Sequence, residues 1–383
     1  MDRFKDIRAY RMGWLLTICD FLFAFPTMWF LAKRTTKSLK LDYLGDRKQI
    51  EQDIKHGAFF MTNHRDIVMD AAWLSMLLRC RYFIRPFIGI GNNLFAYKWI
   101  EIFVRFNRCF VVKRGAGAHA QLENAKQLSA YIHHLREQGK SIWLAQREGR
   151  AKDSNDVTQA AVLHMLTIDF EHQNRPVEEF FDYVKELNIC PVSINYEYDP
   201  CDFLKAREMQ LKRDNPRWRK RAKDDVESMV TGVRGEKGRV IYRLTPSINH
   251  DIDTMLEKFP YYKGLPIKDQ IEHLCFLIDR HIHQGYEIYE RGTEFDAYIE
   301  SRLAKIEMPN KEQLQTVCDI IDRHIHQGYE IFERGTEFDA YIESRLALID
   351  IPNKDEAFLR ERLYEMYNNP VKNYEKSNIS RVI

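Results

Sequence analysis

Short apolar runs alternate with segments of helical periodicity through the first two thirds of this 383-residue chain. The runs that we expect to form strands are 58–61, 109–112, 141–144, 189–194 and 240–244, and 82–90 is a further apolar stretch, broken by Pro86 and by the glycines at 89 and 91. Helical patterns separate several of them, near 70–79 and 121–137. Because alternating strands and helices build parallel sheets that are covered by helices, the pattern predicts an α/β fold with a single mostly parallel sheet over residues 36–250.

The overall composition is that of a folded protein without an extreme charge. Hydrophobic residues make up 45% of the chain, charged residues make up 30%, and the net charge is +2. Nothing in this balance demands nucleic acid as a partner, so none is predicted. The seven cysteines form no C-x-x-C pair and no other metal-ligand spacing, which predicts reduced thiols in the cytosol and no metal centre.

Residues 12–32 form an apolar segment that is a candidate for membrane association. Its 21 residues would just cross a bilayer core, but Asp20 and Pro26 interrupt it, and basic residues flank both ends. This pattern favours an N-terminal membrane-associated segment over residues 1–35, which lies as an interfacial helix in the membrane surface. A buried helix and a true membrane span are the alternatives. The mean hydropathy of −0.48 excludes a multi-span protein.

Residues 205–223 are rich in lysine and arginine. On a helix these side chains form either an ordinary solvated face or a surface for an anionic partner, such as lipid headgroups or an acidic carrier protein. The second interpretation is favoured. A nucleic-acid surface is less favoured because Trp218 is the single aromatic residue in the run.

The C-terminal region, residues 251–383, contains a tandem repeat. Residues 278–312 and 321–355 are identical at 30 of 35 positions, and each copy is predicted to form two helices joined by a turn. Each copy also contains a His-x-His pair, which suggests a metal site, but positions i and i+2 point to different sides of a helix. A packing role is therefore favoured. These histidines are His281 and His283 in the first copy and His324 and His326 in the second.

A polar stretch between an apolar run and a helical pattern is the strongest functional signal. The run 58–61 is followed by His64 and by two acids, Asp66 and Asp70. Chemistry in α/β proteins usually sits in the loops at the carboxyl ends of strands, where a histidine beside a carboxylate is a candidate general base. For this segment taken alone, a surface histidine beside a helix-capping aspartate is the alternative.

Two further predicted strands end in polar loops that carry positive charge. Arginine and lysine bind phosphate oxygens, and glycine lets a ligand approach the backbone closely. Together with His64, these loops predict a site that deprotonates a hydroxyl group on a phosphate-bearing substrate. The residues concerned are Lys113, Arg114, Glu148, Gly149, Arg150 and Lys152.

Four segments of the chain, which we call blocks, resemble in order the sequence motifs of the glycerolipid acyltransferases. This family includes lysophosphatidate and glycerol-3-phosphate acyltransferases. The matching segments are 63–70, 110–114, 148–150 and 189–192, and the resemblance covers roughly residues 36–245. It implies acyl transfer from acyl-CoA or acyl carrier protein to a hydroxyl of a glycerophosphate or lysophospholipid acceptor in phospholipid synthesis. No cofactor and no metal are implied.

The resemblance also implies residue roles. His64 would be the general base, and Arg65 and the basic loops would hold the acceptor. The family separates the histidine and the aspartate by four residues, whereas Asp70 follows His64 after five and Asp66 after one. Asp70 is the favoured partner because it keeps its place at the start of the helix, and Asp66 is the alternative. In the third block, Arg150 directly follows Gly149, one position early, and Lys152 is expected to share the phosphate.

The favoured acceptor is 1-acyl-glycerol-3-phosphate, with glycerol 3-phosphate or another lysolipid as the alternative. The N-terminal segment would place the enzyme on the cytoplasmic face of a membrane. The unusual spacing between histidine and aspartate leaves a second class of function open. In it, the chain is a membrane-surface scaffold with a degenerate catalytic domain.

Overall fold

The computed structural model describes residues 25–92, 108–113, 117–287, 336–351 and 353–379. A sheet of seven strands, in the order β1-β7-β6-β2-β5-β3-β4, forms the centre of this part of the chain. The strands are β1 (Ser38–Tyr43), β2 (Phe59–Thr62), β3 (Phe87–Gly91), β4 (Cys109–Val112), β5 (Ile142–Ala145), β6 (Ile189–Tyr196) and β7 (Arg239–Leu244). All neighbouring pairs are parallel except β6 and β7, which are antiparallel. The prediction of a mostly parallel α/β sheet is confirmed.

Helices flank this sheet and continue beyond it. They are α1 (Phe25–Thr35), α2 (Arg47–Lys55), α3 (Met69–Tyr82), α4 (Ala118–Glu137), α5 (Ala160–His172), α6 (Phe180–Leu187), α7 (Asp202–Asp214), α8 (Ala222–Arg234), α9 (Asn249–Lys258), α10 (Ile267–Gln284), α11 (Thr336–Ala347) and α12 (Glu356–Ile379). Two short 3-10 helices lie at Val177–Glu179 and Pro260–Gly264.

The central strands are buried on both faces, which explains why their sequences are continuous apolar runs. Phe59 and Met61 of β2 enter the core on one face together with Leu144 of β5. Phe60 enters the core on the other face together with Trp143. A strand that is covered on both sides needs no alternation of apolar and polar residues.

The edge strand β1 was missed by the sequence analysis. Its residues SLKLDY alternate apolar and polar side chains, and most of them are half-buried. It pairs with β7 along its whole length, from Ser38 opposite Arg239 to Tyr43 opposite Leu244. Alternation of this kind is the usual signal of a half-buried strand, whereas the central strands of this sheet are continuous apolar runs.

The chain divides into two compact units. The first contains the sheet and consists of the described residues of Met1–Cys201, Lys220–Glu287 and Pro370–Ile383, so α10 belongs to it. Within this unit, Ile271, Leu274 and Ile278 of α10 lie in the same core cluster as Phe59. The boundary at residue 250 stays a prediction.

The second unit contains Asp202–Arg219 and the described residues between Ile288 and Asn369. Its centre is the buried carboxylate of Asp202, which accepts hydrogen bonds from Tyr341 at 2.8 Å and Tyr367 at 2.7 Å and pairs with Arg345. The second copy of the repeat contributes α11 to this unit. Residues 288–335, which complete the predicted helical hairpins, lie outside the described residues.

The predicted N-terminal anchor falls only in part within the described residues. Its last third lies in α1, where Trp29 is 43% exposed and Phe30 is 62% exposed. In the part of the chain that the structure describes, no helix is long and apolar enough to cross a membrane. Interfacial binding stays a prediction.

Several basic residues of the run at 205–223 pair with nearby acids. Its ion pairs include Lys212–Glu208, Arg213–Asp214, Lys220–Asp225 and Arg221–Asp224. Lys205 of the same run is buried. Binding of an anionic partner to this run stays a prediction.

Candidate functional site

The polar stretch after β2 begins with an asparagine that extends the sheet. The Asn63 amide donates to the carbonyl of Ile194 at 3.0 Å, and its Oδ1 accepts from the Ile194 backbone N–H at 2.7 Å. Through these two bonds, the Asn63 side chain continues the hydrogen bonding between β2 and β6 beyond the last residue of β2. It fixes the direction in which the chain leaves the sheet, and therefore the position of His64.

His64 and Asp70 lie in direct contact. Nδ1 of His64 is 2.9 Å from Oδ2 of Asp70, which is fully buried. The His64 side chain is 14% exposed, and its ring lies edge-on to Trp143 with centroids 6.2 Å apart. A carboxylate on Nδ1 selects the tautomer whose Nε2 is unprotonated, which is the form that accepts a proton from a substrate.

Three other donors hold the Asp70 carboxylate. Oδ2 accepts from the backbone N–H groups of Arg65 at 2.7 Å and Asp66 at 2.9 Å, and Oδ1 accepts from the Tyr196 hydroxyl at 3.0 Å. Burial raises the pKa of Tyr196 well above its usual value, and Tyr242 and Asp70 raise it further, so this hydroxyl stays a donor. Hydrogen bonds to the charged form of a carboxylate compensate for its burial. Asp70 is therefore held rigidly as an acceptor for His64.

Asp66 has a different task. Its Oδ1 accepts from the backbone N–H groups of Val68 and Met69, both at 2.8 Å, and so caps the start of α3. Burial raises the pKa of Asp66 above its usual range and the nearby Asp70 adds to this, whereas Lys237 acts in the opposite direction. Of the two acids considered for His64, the structure therefore places Asp70 against the ring and Asp66 at the helix start.

The Arg65 side chain is buried within the first unit. Its Nη1 donates to Ser154 Oγ at 2.6 Å, and its Nη2 lies 3.5 Å from Asp156 Oδ2. The guanidinium also lies over the ring of Tyr286, 5.7 Å from the centroid. Burial opposes its charge, but Asp156 and Tyr286 together raise the pKa of Arg65, so it stays cationic. The predicted role of Arg65 in binding the acceptor is not tested by these contacts.

The third block forms the turn after β5, which is the neighbour of β2. The Glu148 backbone N–H donates to Gln159 Oε1 at 2.7 Å, and Glu148 itself is exposed. Gly149 has a φ of +70°, which disfavours other residues, and an added Cβ would meet nothing within 4 Å. Arg150 is buried and Lys152 is half-buried. The open side of Gly149 is compatible with close approach of a ligand to this turn.

The second block lies two strands further along the same edge. Lys113 is exposed directly after β4, which follows β5 and β3 in the sheet. Parallel strands end at one edge, so Lys113, Glu148 and His64 all lie at the carboxyl edge. Arg114, the other predicted ligand of this block, lies outside the described residues.

Two residues near the site, Tyr196 and Asp156, were not singled out by the sequence analysis. Tyr196 lies at the end of β6, the other neighbour of β2, and contacts Asp70. Asp156 lies after the third block, and its Oδ2 is within reach of Arg65 and of the Tyr286 hydroxyl at 3.2 Å. A polar residue at the end of a strand next to β2 would have been the signal for Tyr196. No comparable signal points to Asp156, because its partner Tyr286 follows 130 positions later.

The histidines of the first repeat copy have packing roles in the structure. Nε2 of His281 lies 2.6 Å from Asp251 Oδ2, and Nε2 of His283 lies 2.6 Å from the Asp156 carbonyl oxygen. Across the described residues, no group of three or more His, Cys, Asp or Glu side chains is arranged to hold a metal ion. The second pair, His324 and His326, lies outside those residues.

A cavity of about 340 Å³ lies at the opposite, amino edge of the sheet. Its lining includes Gly57 before β2, Arg108 before β4 and Ser141 before β5. It does not include His64 or the loops of the third block. His64 and the third block therefore lie at the edge of the sheet opposite to this cavity.

Comparison with known proteins agrees with this geometry. Residues 43–171 match the family model described as acyltransferase. The matched region includes β2, His64, Asp70, β4 and the third block. No curated protein matches the chain.

Proposed function

We propose that this chain belongs to the family of glycerolipid acyltransferases, because residues 43–171 match the acyltransferase family model, and that it catalyses one specific reaction. The chain transfers a fatty acyl group from acyl-CoA or acyl carrier protein to the free hydroxyl of 1-acyl-glycerol-3-phosphate, in phospholipid synthesis. The observation that carries the proposal is the contact of 2.9 Å between His64 Nδ1 and Asp70 Oδ2.

In the proposed step, His64 Nε2 takes the proton of the acceptor hydroxyl as its oxygen attacks the thioester carbonyl carbon. The new C–O ester bond forms and the C–S bond breaks. The thiolate leaves and receives the proton from His64. Asp70 orients the ring and stabilises the transient imidazolium, as in other pairs of histidine and carboxylate.

Binding of the acceptor phosphate is assigned to the cationic residues at the carboxyl edge. Lys113, Arg114, Arg150 and Lys152 supply the charge, and the turn at Gly149 supplies backbone that a phosphate can approach. Fixing the acceptor hydroxyl next to His64 accounts for much of the acceleration, because it turns an encounter of two molecules into a reaction within one complex.

The acceptor and the product are amphipathic, and we propose that the site works at the cytoplasmic face of a membrane. Trp29 and Phe30 on α1 expose apolar surface next to Lys33 and Arg34 at the end of the same helix. Aromatic and basic side chains on one short helix suit the boundary between lipid headgroups and acyl chains.

The test is acyl transfer by the purified full chain from labelled acyl-CoA to a panel of acceptors. The panel contains lysophosphatidate, glycerol 3-phosphate and other lysolipids, and it is run with wild type and His64→Ala. We expect turnover to be highest with lysophosphatidate and to fall about 10²- to 10⁴-fold in His64→Ala. His164→Ala is the matched control, because His164 is a surface histidine with a side chain that is 50% exposed.

Three other results would redirect the proposal. Highest turnover with glycerol 3-phosphate or another lysolipid would change the acceptor but keep the reaction. Undiminished turnover in His64→Ala would end the assignment of the base. A wild-type chain that is inactive with every acceptor and with both donors would favour a membrane-surface scaffold, although the contact between His64 and Asp70 removes the spacing argument for that alternative.

A further inference from the structure

Helix α10 packs into the first unit through one face. Its buried residues join the core on that side of the sheet and are Gln270, Ile271, Leu274, Leu277, Ile278 and Ile282. Gly285 and Tyr286, directly after the helix, are also buried. A Cβ on Gly285 would come within 2.6 Å of Ser193 Cβ, so this end of the segment lies directly against β6.

The same segment braces the chain that follows the third block. Asp279 accepts from the Thr158 backbone N–H at 2.8 Å and from its hydroxyl at 2.5 Å. His283 contacts the Asp156 carbonyl at 2.6 Å, and the Tyr286 hydroxyl donates to Asp156 Oδ2 at 3.2 Å. Because Asp156 in turn lies next to Arg65, α10 and the residues directly after it help to position Arg65, the neighbour of His64 in the chain.

The sequence of α10 recurs 43 residues later. Residues 278–287 and 321–330 are identical, and the likeness continues upstream to Pro266 and Pro309. Every buried position of 270–286 is repeated either unchanged or as an exchange among Leu, Ile and Val. The exchanges are Ile271 to Leu314, Leu274 to Val317 and Leu277 to Ile320.

Of the positions that differ more strongly, Ile267 packs against the core and has Asn310 as its counterpart, whereas two others are exposed. Phe276 is 52% exposed, and its counterpart is Asp319. Glu272 is also exposed, and its counterpart is Gln315. The buried pattern that selects a helix for this place is thus present twice in the chain, whereas its receiving residues, such as Ser193, Thr158 and Asp251, are present once.

We infer that residues 309–330 are an interchangeable second copy of α10, able to occupy the same place in the first unit. The polar anchors would be taken over one for one: Asp322 for Asp279, His326 for His283, and Tyr329 for Tyr286. Leu274 is one methylene larger than Val317, and larger buried side chains are favoured in an otherwise equal site. Helix α10 is therefore the preferred occupant, and the second copy is its substitute.

The test disables each copy in turn in the full chain. Gly285→Val places a branched side chain against Ser193 Cβ, and Gly328→Val makes the same change in the second copy. We expect each single variant to unfold within a few degrees of wild type, because the intact copy fills the place. The double variant should lose roughly 5–10 °C in Tm, since neither copy then fits.

Hydrogen exchange read by mass spectrometry identifies the occupant directly. The two segments give different peptides because positions 272–277 and 315–320 differ in sequence. Protection is expected on peptides from 270–286 in wild type and on peptides from 313–329 in Gly285→Val. Both measurements report on folding, so they decide the exchange whether or not His64 is the catalytic base.

Asp251→Ala is the matched control on the receiving side. Asp251 occurs once and pairs with Arg280 and His281. The counterparts of these two residues in the second copy would make the same pairs, so Asp251→Ala removes the same interactions whichever copy occupies the place. Its destabilisation should therefore be the same in wild type and in each single glycine variant. The inference is overturned if Gly285→Val alone is as unstable as the double variant, or if the double variant is as stable as wild type.

Discussion

Asp70 Oδ2 lies 2.9 Å from His64 Nδ1, although five residues separate the two in the sequence. The turn between them absorbs the additional residue. The backbone N–H groups of Arg65 and Asp66 both point at Asp70 Oδ2, while Asp66 Oδ1 receives the N–H groups of Val68 and Met69. The loop thus closes around Asp70 before α3 begins, and the helix starts in the orientation that brings the carboxylate to the ring.

The two acids should respond differently to conversion into amides. We expect Asp70→Asn to lower kcat about 10²- to 10⁴-fold, because an amide both weakens the orientation of His64 and presents a donor to the N–H groups around it. Asp66→Asn keeps an oxygen for the helix cap and should keep kcat within a few-fold of wild type. Steady-state kinetics on both variants, with Tm as the check on folding, measure this. Equal losses in the two variants would contradict separate roles for the two acids.

Tyr196→Phe should slow the reaction without removing the contact between His64 and Asp70. The hydroxyl that donates to Asp70 Oδ1 at 3.0 Å is lost, while both backbone donors to Oδ2 remain. A hydrogen bond to a charged group contributes about 1.5–3 kcal/mol, so we expect a fall in kcat of roughly 10- to 100-fold. Tyr183→Phe is the control, since Tyr183 lies on α6 in the core. A kcat equal to that of wild type in Tyr196→Phe would show that this donor does not matter for the reaction.

Arg65→Ala and Lys113→Ala should separate stability from binding. Arg65 is buried against Ser154 and Asp156, and removing one partner of a buried ion pair typically costs about 3–5 kcal/mol. Lys113 is exposed, so its loss should change stability by no more than about 0.5 kcal/mol and should raise KM for the phosphate-bearing acceptor. Denaturant unfolding and acceptor titration measure the two effects. A raised KM at unchanged stability in Arg65→Ala would instead support its predicted role as an acceptor ligand.

The pair of Asp251 and His281 should stabilise the fold in a pH-dependent way. Burial alone would raise the pKa of Asp251, but the hydrogen bond from His281 and the charge of Arg280 outweigh it and lower the pKa below 3.8. A lowered carboxyl pKa means that the unfolded chain binds more protons in acid. The stabilisation is therefore complete above pH 3.8 and is lost as the pH falls through the lowered value.

Asp251→Ala tests this dependence. We expect a loss of about 1.5–3 kcal/mol near neutral pH, and a difference from wild type that shrinks as the pH is lowered below 3.8. Urea unfolding of both proteins across the acidic range gives the measurement. A difference that stays constant down to the lowest pH would mean that the charge on Asp251 does not contribute.

The central strands and the order of the chemical blocks follow from the sequence. Continuous apolar runs such as 58–61 and 189–194 mark strands that are buried on both faces, because such strands cannot present polar side chains. His64, Gly149 and Lys113 follow strands that parallel pairing brings to one edge. Their common location could therefore be stated from local pattern alone, and the family resemblance rested on the same blocks.

The sequence by itself determined that a histidine, two acids and several cations stand at strand ends of an α/β sheet. Which acid contacts His64 was decided only by the tertiary structure. Spacing along the chain gives the angle between two residues round an ideal helix. The turn at 65–68 is instead shaped by hydrogen bonds from its backbone to Asp70. Asp70 is itself held by Tyr196, which lies 126 positions further along the chain. In the same way, the contacts of Arg65 with Asp156 and Tyr286 exist only in the folded chain. Contacts between distant segments depend on how strands and helices pack, which local pattern does not encode.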